Sequence, residues 1–133
     1  MGAMEKELRI MGSVRNRDGR QRLILRYEQM RKGYNFHSLI WEVRSADAWT
    51  AYRSISDRDF VGDRPCRRWI SKIHGFGAEA GTAVIQVGEL ARPLGGVVAY
   101  SWRLWDLERN EEKKLLHVCE SPFEPWPGGS FEV

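Results

Sequence analysis

The sequence predicts an α+β fold: a largely antiparallel sheet of about six strands, ordered β-β-β-α-α-β-β-β, with two helices packed on one face. Three observations predict it. Apolar and polar residues alternate through residues 8–43. Residues 45–75 then switch to a spacing of three to four, and residues 82–120 return to alternation. Period two marks a half-buried strand and period 3.6 a helix, so the change of period divides the chain.

The first element reads as a hairpin. Leu8, Ile10, Gly12 and Val14 alternate with polar neighbours, Asn16-Arg17-Asp18-Gly19 supplies a turn, and Leu23, Leu25 and Tyr27 resume the alternation. Gly19 is there because it can take positive φ without a Cβ clash. A second turn at Lys32-Gly33-Tyr34-Asn35 leads into a third strand over 36–44, with Leu39, Trp41 and Val43 on one face. The first helix is expected from Ser45, a favoured N-cap, to Ser56. Asp47 lies in its first turn, and Trp49, Tyr52 and Ile55 follow at helical spacing. A second helix is predicted from Asp63 to Gly75, with Pro65 in the first turn and Cys66, Trp69, Ile70 and Ile73 forming the apolar stripe. Strands follow over 82–90, 97–107 and 114–120, with turns at Pro93-Leu94-Gly95-Gly96 and Arg109-Asn110-Glu111-Glu112.

A chain of 133 residues suits one domain. Residues 1–4 are expected to be an expression remnant, 5–120 the single domain, and 121–133 a Pro- and Gly-rich tail docked on it. Charged residues at 29% and hydrophobic residues at 42% argue against disorder, and six Trp predict an aromatic-rich core. Cys66 and Cys119 lack the spacing of a metal site or a disulfide framework, so a cytoplasmic protein with free thiols is expected. No apolar run approaches the roughly 20 residues of a membrane helix, so no membrane partner is expected. The net charge is +3, but residues 1–35 carry +5 and residues 76–133 carry −4. That asymmetry suits the two halves of one sheet, paired subunits or an anionic partner.

No motif specifies a reaction. Gly75-Phe76-Gly77-Ala78-Glu79-Ala80 matches a dinucleotide fingerprint in letters only, because a helix precedes it and a strand follows, the reverse of the required order. Asp57, Asp59 and Asp63 echo a calcium loop, but Val61 and Arg68 occupy positions that need oxygen ligands. His37, His74 and His117 stand without a sequence-evident nucleophile. Neither a cofactor nor a metal is therefore expected, and an enzyme is the less favoured class.

Two surfaces remain. Tyr100, Trp102, Trp105, Phe123 and Trp126 give the last strands and tail an aromatic surface for a small-molecule or protein partner, a second copy of the chain included. This non-enzymatic binding or assembly role is the leading expectation. The alternative is nucleic-acid binding by Arg64, Arg67, Arg68 and Lys72 on the basic face of the helix over 64–74, joined by Arg20, Arg22 and Arg26 on the second strand. A small enzyme using His37 or His117 comes third.

Overall fold

Eight antiparallel strands, with no helix among the described residues, form the computed structural model, which describes residues 6–30, 35–57, 66–91 and 97–128. β1 (Lys6–Arg15), β2 (Gln21–Met30), β3 (Asn35–Ser45) and β4 (Ala48–Ser56) make one sheet in chain order. β5 (Cys66–Phe76), β6 (Thr82–Ala91), β7 (Val97–Asp106) and β8 (Glu111–Cys119) make the other. The α+β expectation is therefore corrected to all-β. Six strands lie where the alternation places them, and each predicted helix is a strand.

The reason is visible in the registers. In β5, Ile70 pairs with Val87, Lys72 with Gln86, Ile73 with Ile85, and Phe76 with Ala83. Ser71 and His74 are extra residues at two β-bulges. Each bulge adds one residue to the period, so the inward side chains fall at Ile70, Ile73 and Phe76, three apart. A twice-bulged strand thus carries the spacing of a helix. β4 does the same once: Trp41 pairs with Arg53 and Glu42 with Ala51, leaving Tyr52 between them. Trp49, Tyr52 and Ile55 are spaced like a helical stripe, but the register puts Trp49 beside Arg44 and under Arg22, on the face opposite the buried Ile55. The expected N-cap at Ser45 is instead the start of a tight β3–β4 turn, with Ala46 at φ 54.

The sheets meet through one apolar core. Leu23, Leu25, Leu39, Trp41 and Ile55 from the first sheet face Ile70, Ala83, Ile85, Val87, Trp105 and Leu107 from the second. β1 runs beside β5, where a Cβ on Gly12 would touch Ile73 at 3.7 Å. The described ion pairs join residues within a sheet rather than between sheets. Apolar burial therefore holds the halves together where the charge asymmetry suggested ion pairing.

Two polar features shape the interior. Asp57, at the end of β4, accepts from the amide of His37 at 2.8 Å and, across the sheets, from the amide of Ile70 at 3.1 Å. Its carboxylate also holds the His37 ring through Nδ1 at 3.0 Å. On the inner face of the second sheet, Arg68 of β5 and Arg103 of β7 converge on one oxygen of Glu112 in β8, at 2.9 and 2.6 Å. Arg68 reaches β8 although β6 and β7 intervene, so this sheet is strongly coiled.

Candidate functional site

The second sheet has another face, turned away from the core, and it is also covered. Val84 and Gln86 of β6, Tyr100, Trp102 and Leu104 of β7, and His117 and Cys119 of β8 point to it. β5 contributes Trp69, Lys72 and His74. Gly88 makes this possible: the Trp69 indole occupies the space where a Cβ would stand. From there it meets Tyr100 edge-on, with ring centroids 6.0 Å apart.

Residues 120–128 return over this face as a strap. Trp126 packs on Trp102 at 5.7 Å and on His74 at 5.6 Å between ring centroids. Lys72 Nζ donates to the Pro122 carbonyl at 2.5 Å. His117 Nε2 meets Glu124 Oε1 at 2.7 Å, and the other carboxylate oxygen accepts from the Glu120 amide, also at 2.7 Å. Three prolines keep the strap out of the sheet ladder, so side chains and a few backbone groups hold it.

The structure divides the predicted aromatic set. Tyr100, Trp102 and Trp126 come together under the strap. Trp105 points the other way, into the inter-sheet core, where its Nε1 donates to Asn110 at 3.1 Å. Phe123 is 84% exposed, with Lys72 Nζ 5.9 Å from its ring centre.

The basic set is dispersed. Arg68 lies on the inner face with Glu112 and Glu89, whereas Lys72 lies on the outer face under the strap. Arg64 and the Arg67 side chain fall outside the described residues, as do the 32–34 and 93–96 turns, Asp59, Asp63 and the Cys66 side chain. Arg22 pairs with Glu42 and stacks over Trp49 at 4.3 Å, Arg26 lies 3.7 Å from Glu28, and Arg20 is exposed.

Both histidines singled out for chemistry have a carboxylate, His37 with Asp57 and His117 with Glu124. Among the described residues, no side-chain hydrogen bond joins either one to a Ser, Thr or Cys. Cys119 shares the face with His117, but burial pushes its thiol above the usual range, outweighing the Gln86 amide 3.6 Å away. A thiol held protonated is a poor nucleophile. Burial likewise lowers the pKa of His74, favouring its neutral form. Among the described residues, no group of three His, Cys, Asp or Glu could hold a metal ion, and no helix is long and apolar enough to cross a membrane.

Gln86, Trp69, Lys72 and His74 belong to this site, and only Lys72 was anticipated as a binding residue, for a different partner. The signal is present in β6, where Gln86 and Gly88 interrupt an otherwise apolar run over 83–88. In a strand buried on both faces, such interruptions mark the face on which something other than core packing is required. Comparison with protein-family models, curated proteins and solved structures finds no match to this chain, so its reading rests on these residues.

Proposed function

We propose that this chain is a non-enzymatic binding module that takes a small apolar molecule on the outer face of its second sheet, beneath the strap. One observation carries the reading. The inter-sheet core is complete without this face, yet Trp102 and Val84 form a second buried layer closed by a strap on a few polar contacts. An aromatic floor under a detachable cover is the arrangement of a ligand site: mostly apolar, with a few polar groups that fix orientation.

Truncation after Glu120 tests it. The shortened chain should keep its two-sheet fold by circular dichroism and bind an anilinonaphthalene dye that the full chain binds weakly. A thermal-shift panel of planar aromatic compounds should stabilise the full chain, by roughly 2.7 kcal/mol at a hundredfold excess over Kd. Unchanged dye binding after truncation, with no stabilisation by any compound, refutes the reading. Dimerisation on truncation would favour a second copy of the chain as the occupant.

A further inference from the structure

Gln86 and Trp102 stand directly opposite one another on β6 and β7, both on the outer face. Their Cβ atoms are therefore about 5 Å apart. Gln86 is fully buried and Trp102 is 3% exposed. The Gln86 amide has one sensible orientation: Nε2 donates to the Pro122 carbonyl at 3.4 Å and approaches Cys119 Sγ at 3.6 Å. Turned over, it would set carbonyl against carbonyl. Among the described residues, neither its Oε1 nor Trp102 Nε1 has a hydrogen-bond partner.

Buried polar groups are paired in the great majority of cases, so two orphans on facing residues ask for an explanation. One is an acceptor and the other a donor. Resting on the outer-face reading above, we infer that the ligand is a neutral planar molecule with a cyclic amide edge, a ring N–H beside a carbonyl. The ring N–H donates to Gln86 Oε1, and the ligand carbonyl accepts from Trp102 Nε1. Trp69, Tyr100, Trp102 and Trp126 supply faces and edges for a flat ring. Lys72, on the same face, donates to the Pro122 carbonyl of the strap. A buried donor–acceptor pair discriminates strongly, because a ligand lacking the matching edge leaves both atoms unpaired.

The test uses the full chain and three probes of similar shape: 2-quinolinone, N-methyl-2-quinolinone and naphthalene. Calorimetric titration should show 2-quinolinone binding at least about tenfold more tightly than the other two. Gln86→Met, which keeps the volume, and Trp102→Phe, which keeps an aromatic ring but loses the indole N–H, should each shrink that preference to about twofold. Two independent variants cover the case in which one does not fold. Equal binding of all three probes to the unmodified chain would overturn the amide assignment and leave the outer-face site standing. A preference that persists in both variants would also overturn it. If no probe binds, this inference falls, and the dye test on the truncated chain separately decides the outer-face reading.

Discussion

Asp57→Ala should be the most damaging single truncation outside the apolar core. The carboxylate accepts three hydrogen bonds: from the His37 amide at 2.8 Å, the Ile70 amide at 3.1 Å and the His37 ring at 3.0 Å. Ile70 is fully buried, so its orphaned amide finds no water and costs about 2–3 kcal/mol. The half-buried His37 amide adds about 1 kcal/mol, and the loosened ring about another. The expected loss is therefore about 4–5 kcal/mol, a large share of the 5–15 kcal/mol typical of a domain. Asp57→Asn separates the terms. Its carbonyl can still accept from the His37 amide while its NH2 donates to the ring, so mainly the Ile70 bond is lost, at about 2 kcal/mol. Urea titration followed by tryptophan fluorescence reads both. With a slope near 2 kcal/mol per molar, the alanine variant should move the midpoint down by about 2 M and the asparagine variant by about 1 M. A loss under about 1 kcal/mol for Asp57→Ala would refute the claim that this carboxylate staples the two sheets.

Three further outcomes are expected. Gly88→Ala should cost about 1–3 kcal/mol, because the new methyl would displace the Trp69 indole, and adding Trp69→Leu should recover most of that in the same urea assay. Ala46→Gly should stabilise by about 0.5–1 kcal/mol, since a residue with a Cβ is strained at φ 54; calorimetric Tm reads this. The Glu120 amide, followed by the His117 ring, holds the Glu124 carboxyl below the usual carboxylate range. Its contribution to strap docking is therefore present above the unfolded carboxylate pKa and lost as pH falls through the lower folded value. Acid titration of Trp126 fluorescence should show undocking that Glu124→Gln abolishes as a transition.

Strands are legible in the sequence where alternation survives: through β2, β3, β6 and β7, and in β1 and β8 despite bulges at Met11, Lys113 and Leu116. The β1–β2 hairpin is legible because Leu23 and Leu25 alternate cleanly and Gly19 takes the positive φ its turn requires. β4 and β5 read as helices because their bulges fall among the apolar residues, and in β5 two bulges set the inward Ile70, Ile73 and Phe76 three apart. Gly75, which reads as a helix stop, lies inside β5. The site was half legible. Tyr100, Trp102 and Trp126 share a layer, while Trp105 follows strand alternation into the core. Gln86 is silent in the sequence because a single polar residue in a strand carries no meaning until its face is known.

Each sheet is built from its own half of the chain, with every strand hydrogen-bonded to its sequence neighbour. During synthesis the first sheet can zip up as soon as β4 emerges, but Leu23, Leu25, Leu39, Trp41 and Ile55 then face solvent without their cover. The roughly 60 residues from Asp57 to Cys119 take about 3–12 s to translate at ordinary rates. For that interval a nascent half-sandwich shows an apolar sheet face to every neighbouring ribosome product. The yield of this protein in a cell therefore depends on chaperone occupancy during those seconds, and slowing translation across β5 and β6 should lower it.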